Sequence, residues 1–159
     1  MRTSLKAGAA ALACALAATT AIAQPAPPTP EQQAQASVDR RQALYKLLGW
    51  NMDPMGGMLR GNVTFDASVV AANSANIANL AAMIPDLFVA DTREFDLETA
   101  ALDRIWTTKD EFDAKAQALI EAANAAVEAA GAGNDGATRA AIGRVGQACG
   151  SCHDDFRAN

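Results

Sequence analysis

Cys149-Gly150-Ser151-Cys152-His153 stands close to the C-terminus and forms a C-x-x-C-H motif. Two thiols three residues apart can each add to one vinyl group of a haem, and the histidine that follows can ligate the iron axially. The motif is therefore typical of one covalently attached haem c, held by Cys149 and Cys152 and ligated by His153. Such a haem also adds apolar surface to the core of the protein.

Other functions of a C-x-x-C pair fit this chain less well. A structural zinc site needs four protein ligands, and the chain has one histidine and one further cysteine, Cys14. A thioredoxin-like pair begins a helix after a strand, whereas this motif follows a long helical pattern. Haem attachment is favoured, and a plain disulfide remains an alternative.

The N-terminus has the pattern of an export signal. A basic start precedes an apolar run over residues 7–18 and an A-x-A site at residues 21–23. Residues 1–23 are therefore predicted to be a cleaved Sec-type signal peptide rather than a membrane span. This places the mature chain of 136 residues in the periplasm. A lipoprotein that begins at Cys14 is an alternative, although the residues before Cys14 make a poor lipobox.

The charge balance limits the partners. Cleavage of the signal would leave 11 basic residues against 18 acidic ones, a net charge of −7. An acidic surface disfavours nucleic acid and anionic membranes, so neither is expected to bind the mature protein. A chain of this length can bury the core of a single domain.

Helical periodicity and capping residues predict four helices and no strand. A Pro-rich leader, 24–29, precedes the first helix, in which Thr29 caps, Pro30 takes the first position and Gln32 completes a capping box. The predicted segments are a first helix to about Gly61, a second from Asp66 to near Pro85, an irregular connection over 86–107, a third helix over about 108–130, a break at 131–136, and a fourth helix that carries the motif. Residues 30–159 are thus predicted to form an all-α domain, an antiparallel up-down four-helix bundle with covalently attached haem.

The apolar spacing predicts one face on each of the first two helices. These faces are Val38, Arg41, Tyr45, Leu48, Met52, Met55 and Leu59 on the first helix, and Val69, Ala72, Asn76, Leu80 and Met83 on the second. In an up-down bundle the first helix runs antiparallel to the fourth. Residues from about Arg41 to Leu48 are therefore expected to cover the side of the iron opposite His153.

The motif continues as Asp154-Asp155-Phe156-Arg157, the first helix contains the segment RQALYKLLGWNM over residues 41–52, and Ile105-Trp106 precedes the third helix. With these features the chain resembles the cytochrome c′ family, the class II c-type cytochromes, over essentially the whole mature sequence. The resemblance implies a periplasmic four-helix-bundle haem protein that is usually a homodimer. It also implies a five-coordinate, high-spin iron that binds NO, and often CO, at a vacant site.

In that family the residue at the position of Tyr45 lies over the open face of the iron, and low-spin relatives place a methionine there. This chain departs from the low-spin pattern, since its nearest methionine, Met52, lies seven residues on, ~10 Å along the helix. Tyr45 is therefore expected to be an unligated bulky gate. A tyrosinate ligand would require a phenol deprotonated far below its usual pKa of ~10 beside a strong cation.

Four further residues are predicted to line the haem pocket. Arg41 lies on the same helix face as Tyr45, where a charge needs a partner. A haem propionate would be such a partner, and the alternative is that Arg41 is a solvated helix charge. Gln42 is expected to contact the haem edge. Phe156 is expected to pack against the haem, and Arg157 to tune His153 or bind a propionate, unless it is a frayed surface charge.

Two functions remain in competition. The first is a gas-binding protein that sequesters or buffers NO, and the second is a low-spin electron carrier with a sixth protein ligand and a periplasmic redox partner. An open coordination site favours the first, because a vacant position adds reorganisation on reduction. Peroxidase-like catalysis ranks last, since the distal His or Arg pair that it uses is missing, and no other catalytic motif is found. The protein is therefore not expected to be an enzyme.

Overall fold

A computed structural model describes residues 26–158, so the predicted signal peptide, Cys14 and the first leader residues lie outside the described range. The described residues form six helices in order: α1 (Pro30–Leu59), α2 (Ala67–Ala81), α3 (Ile84–Leu87), α4 (Arg104–Thr107), α5 (Lys109–Gly131) and α6 (Asp135–Phe156). The four long helices α1, α2, α5 and α6 form the bundle, and α3 and α4 are single turns in the connection. The all-α four-helix-bundle prediction is confirmed.

The start of α1 is determined by local hydrogen bonds. The Thr29 hydroxyl accepts from the Gln32 amide at 3.2 Å, and the Gln32 side chain accepts from the Thr29 amide at 2.9 Å. Pro30 occupies the first helical position, where a missing N–H costs nothing. The predicted capping box and helix start are confirmed.

Asp66 caps α2 as predicted, but two other boundaries differ from the prediction. The Asp66 carboxylate accepts hydrogen bonds from the backbone amides of Ser68 and Val69. Helix α2 ends at Ala81 rather than near Pro85, because Pro85 lies in the first turn of the separate helix α3.

Helix α6 begins inside the predicted break. Its cap is Asn134, whose side-chain oxygen accepts from the Ala137 amide at 3.0 Å, so Asp135 and Gly136 are already helical. Gly133 makes the turn before this cap with φ of +72°, a conformation that favours glycine. The break is therefore shorter than the glycine-rich sequence predicts.

Contacts along α1 and α6 establish that the two helices are antiparallel. At one end Arg139 Nη1 donates to the Met58 carbonyl at 2.8 Å. Farther toward the C-terminus of α6 and the N-terminus of α1, a Cβ at Gly146 would lie 3.8 Å from Met52 Cε. The N-terminal half of α1 therefore lies beside the C-terminal turns of α6.

The core is assembled largely from alanine and branched aliphatic side chains. Helix α5 buries Ala116, Ala123, Ala126 and Ala130 against α2 and α6, so these helices approach closely. The predicted face of α2 is correct only in part, since Val69 and Leu80 are half-buried against the core. The side chains that it buries are Val70, Ser74, Ile77, Ala78 and Ala81, whereas Ala72, Asn76 and Met83 are exposed. The reason is that α2 packs on both α1 and α5, and Asn76 donates to Asn51 of α1 at 3.0 Å.

The predicted face of α1 is correct only in part. Val38, Arg41 and Met55 are buried, but Tyr45 and Leu59 are exposed, and Leu44 and Asn51 are buried in addition. Within residues 26–158, no helix is both long and apolar enough to cross a membrane.

Two glycine-to-alanine substitutions, one at the end of α1 and a control in α6, test the packing at the end of α1. A Cβ at Gly57 would lie 2.7 Å from Val63 Cγ2, so we expect Gly57→Ala to lower the free energy of unfolding by about 1–3 kcal/mol. Gly143→Ala in α6 meets no atom within 4 Å and should raise it by about 0.5–1 kcal/mol through helix propensity. Urea unfolding measures both changes. Val63→Ala should rescue Gly57→Ala, and a failure to rescue would contradict the proposed clash.

Candidate functional site

A cavity of about 630 Å³ lies between α1, α5, α6 and the connection before α4. This volume is typical of a cofactor site, and the cavity walls are mainly apolar. All eight residues that the sequence singles out line it: Arg41, Gln42, Tyr45, Cys149, Cys152, His153, Phe156 and Arg157. The fold thus brings residues from both ends of the chain together at one place.

The motif occupies the last turns of α6, as the helical pattern predicts. Cys149 and Cys152 are half-buried free thiols, and burial raises the pKa of both. Burial, aided by the positive charge of Arg157, lowers the pKa of His153, so its imidazole is neutral at pH 7. Two reduced thiols and a neutral imidazole are the groups that could supply two thioether links and one nitrogen ligand to a haem.

Lys115 of α5 supports the motif, and sequence reasoning missed it. Its ammonium donates to Ser151 Oγ at 2.6 Å and pairs with Asp155 at 2.9 Å. The hydrogen bond from Lys115 lowers the pKa of the Asp155 carboxyl. Lys115 therefore ties the residues on either side of His153 to α5. A contact across 36 positions has no local signal in a single sequence.

Phe156 forms part of an aromatic wall. Its ring meets Phe112 edge-on at 5.2 Å between centroids, and Phe112 meets Phe88 edge-on at 4.8 Å. All three side chains are buried and line the cavity. Edge-to-face pairs of this kind stabilise a fixed arrangement of rings, so the wall is rigid.

Tyr45 lines the cavity from α1, and 37% of its surface is accessible. Its ring lies 6.3 Å from that of Phe88. Burial and the nearby Cys152 raise the pKa of the phenol, and Arg41 opposes the shift only weakly. The phenol is therefore protonated at neutral pH. Met52 also lines the cavity, beside Gly146.

Arg41 is buried, so the alternative of a solvated helix charge is wrong. Its guanidinium donates to the carbonyls of Leu87 and Ala90 and to the hydroxyl of Thr92, at 2.8, 2.6 and 2.9 Å. Burial lowers the pKa of Arg41 from its usual value, but a guanidinium stays charged. Leu87 is the last residue of α3, and Ala90 and Thr92 lie in the connection between α3 and α4. Sequence reasoning did not link these residues to Arg41.

Gln42 and Arg157 are exposed residues at the rim of the cavity. The Gln42 amide donates to the Glu98 carbonyl at 3.1 Å. Arg157 pairs with Ala101 in an isolated antiparallel bridge, so its backbone is held rather than frayed.

The described residues hold no arrangement suited to a bare metal ion. Within residues 26–158, no group of three or more His, Cys, Asp or Glu side chains is placed to bind one. The cavity instead combines a large apolar volume, two free thiols and one neutral imidazole. This donor set fits a flat prosthetic group that brings its own metal.

A family model described as cytochrome c′ matches residues 36–157. The chain is 37% identical over 126 residues to the cytochrome c′ of Cereibacter sphaeroides, covering 78% of this chain and 84% of the relative. It is also similar to the solved structure of a cytochrome c′ from Rhodobacter sphaeroides, with a TM-score of 0.72 and 34% identity, over 79% of this chain and 98% of that one.

Two further similarities bear on function. A cytochrome c-554 of Cereibacter sphaeroides is 32% identical over 149 residues, covering 92% of this chain and 94% of the relative. Another solved cytochrome c′, described as having an unusual ligand-controlled dimer dissociation, has a TM-score of 0.70 and 29% identity, over 79% of this chain and 97% of that one.

Proposed function

The chain belongs to the cytochrome c′ family, and on that premise we propose that it is a periplasmic haem protein that binds diatomic gases. One haem c is joined through thioethers to Cys149 and Cys152, and His153 ligates the iron. The opposite face of the iron has no protein ligand and binds NO or CO. The protein sequesters or buffers NO, and it can also exchange electrons with a periplasmic redox partner.

The chemistry of the cavity supports this cofactor. When bound, the haem supplies an iron with an open coordination position. The chain supplies two thiols for attachment, a neutral imidazole on the last turn of α6, and the aromatic wall of Phe112 and Phe156 for the apolar macrocycle. Gln42 and Arg157 are exposed at the rim of the cavity, where the propionates of a haem would meet solvent. Arg41 is buried and uses all three of its guanidinium nitrogens on protein acceptors, so a propionate would reach only the N–H groups that these bonds leave over.

The position of Tyr45 carries the gas-binding proposal. The side chain lines the cavity from α1, on the helix that faces the motif, and its phenol is protonated. Ligation would need the phenolate, which a strong neighbouring cation would have to stabilise. Arg41 is the cation that lowers the pKa of this phenol, but its guanidinium is committed to acceptors at the end of α3 and in the connection that follows. Tyr45 therefore acts as a bulky gate over the iron rather than as its sixth ligand.

Met52 supports the second candidate, a low-spin electron carrier. Its thioether lines the same cavity, and methionine ligates the iron in low-spin cytochromes. The similarity to a cytochrome c-554 also favours this candidate. However, Met52 lies about 10 Å along α1 from Tyr45 and packs beside Gly146, so ligation would need a shift of the helix. The gas-binding candidate ranks first for this reason.

Export and the charge of the chain support the assignment of compartment and partners. Residues 1–23 act as the cleaved signal peptide, so the mature protein is periplasmic. The mature net charge of −7 steers basic redox partners and disfavours nucleic acid.

The exposed face of α1 supports a homodimer. Trp50 and Leu47 lie three residues apart, with 68% and 49% of their surfaces accessible. Met83, two residues after the end of α2, is another large apolar side chain that is half exposed. Apolar aromatic anchors are the side chains that contribute most to interfaces. We propose that this surface of α1 and α2 packs against a second copy of the chain.

Spectroscopy tests the proposed function directly. We expect mass spectrometry to find one haem per chain, and Cys149→Ala with Cys152→Ala to abolish covalent attachment. The ferric protein should give high-spin optical and electron paramagnetic resonance spectra, and the ferrous protein should bind NO and CO. A low-spin ferric spectrum with a methionine–iron charge-transfer band would instead establish the electron-carrier candidate.

Substitution of Tyr45 separates a gate from a ligand. Tyr45→Phe keeps the bulk and removes the hydroxyl, so the ferric spectrum should not change. Tyr45→Ala removes the bulk, and we expect CO to associate about tenfold faster, equivalent to about 1.4 kcal/mol of the barrier. Stopped-flow absorption measures both variants. A changed spectrum in Tyr45→Phe would show that the phenol ligates the iron.

A charge on the exposed face of α1 tests the dimer. Trp50→Glu should weaken association by about 30-fold or more, because the loss of an aromatic anchor costs about 2 kcal/mol and a buried carboxylate adds to it. Val89→Glu, at a more exposed apolar position outside α1 and α2, is the control. Sedimentation velocity gives the dissociation constants. Equal effects of the two substitutions would refute this surface as the interface.

A further inference from the structure

The connection between α3 and α4, residues 88–103, forms one edge of the cavity and is here called the strap. Thr99, Ala100 and Ala101 of the strap line the cavity, and Thr99 and Ala100 are also exposed. Residues that both line a cavity and contact solvent lie at its mouth. The position of the strap therefore sets how wide the mouth is on this side.

Arg41 fastens the beginning of the strap to α1. Its three hydrogen bonds reach Leu87, Ala90 and Thr92, which span the junction of α3 with the strap. A buried guanidinium without partners would pay a large desolvation cost, so the strap must stay where it can accept these bonds. A fork of donors in one plane also fixes direction, which a single ammonium cannot do.

Aromatic stacking strengthens the same attachment. The guanidinium carbon of Arg41 lies 4.6 Å from the Phe88 ring centroid and 5.3 Å from that of Trp106. The Trp106 indole N–H donates to the Ala90 carbonyl at 3.2 Å, so Ala90 accepts from both side chains. The beginning of the strap is thus held in a cation–aromatic stack.

Two further attachments hold the end of the strap. Gln42, next to Arg41 on α1, donates to the Glu98 carbonyl at 3.1 Å. The residues after α6 complete the fastening, since the Ala158 amide donates to Ala100 at 2.8 Å and the Leu102 amide donates to Phe156 at 3.0 Å. The strap is therefore held by α1 at its beginning, and by α1 together with the C-terminal end of α6 at its end.

From these contacts we infer that Arg41 is a positioning residue that holds the strap closed and so excludes molecules larger than diatomic gases from the haem edge. The inference deepens the proposed function and rests on it, because it names what selects ligands at the same site. Arg41 acts through the strap and need not touch the bound gas. Thr92 is the part of this attachment that can be altered without changing a residue that lines the cavity.

A matched pair of substitutions at Thr92 tests the attachment in the ferric holoprotein. Thr92→Val keeps the shape and removes the acceptor for Arg41, whereas Thr92→Ser keeps the hydroxyl. Hydrogen exchange of the amides of residues 89–98 should become about tenfold faster in Thr92→Val, the effect of losing one hydrogen bond to a charged group, and return to the wild-type rate in Thr92→Ser. Unchanged exchange in Thr92→Val would overturn the inference. Arg41→Lys should behave as Thr92→Val does, and the Thr92 pair decides the result if that variant does not fold.

The second measurement compares a large ligand with a small one. If Arg41 only stabilised the fold, the ratio of their association rates would not change. The ratio of the association rates of n-butyl isocyanide and CO with the ferrous protein should rise about tenfold in Thr92→Val and stay at the wild-type value in Thr92→Ser. Faster exchange with an unchanged ratio would overturn the role of the strap in selection. A wild-type protein that binds no CO would instead refute the proposed function, and the exchange experiment would still decide whether Arg41 holds the strap.

Discussion

The antiparallel packing of α1 against α6 is the constraint on which the site depends. Two contacts fix the position of α1 along α6. Arg139 donates to the Met58 carbonyl, and Met52 lies beside Gly146. With that register, Tyr45 comes to the level of the motif. A displacement by one helical turn, ~5.4 Å, would bring a different side chain over the iron. The choice between a gas site and an electron carrier is therefore a matter of helix register as much as of residue type.

Local features of the fold could be predicted because their causes lie within a few residues. The capping box of Thr29 and Gln32 closes within one turn of α1, and the Asp66 cap does the same for α2. The opposing walls of the cavity also followed from the sequence, since up-down connectivity alone brings the two helices together. These features need no knowledge of distant contacts.

Features that depend on contacts between distant residues could not be predicted. Lys115 meets Ser151 across 36 positions, and Arg41 meets Thr92 across 51. The buried face of α2 was only partly predicted, because a helix packed on two neighbours buries a face that its apolar spacing alone does not reveal. A charge on an apolar helix face indicates that Arg41 has a partner, but not that the partner is a backbone carbonyl.

The position of the motif on the last of the described helices has a consequence for the order of events during biosynthesis. The walls of the cavity that α1 and α5 form precede Cys149 in the chain, so on the proposed export route these helices, with α2 between them, cross the membrane before the two thiols do. Domains begin to fold from the end that emerges first. On that route a haem would meet a chain whose other helices are already outside the membrane, and its attachment would compete with closure of the bundle. An attachment apparatus would have to act on α6 before it docks.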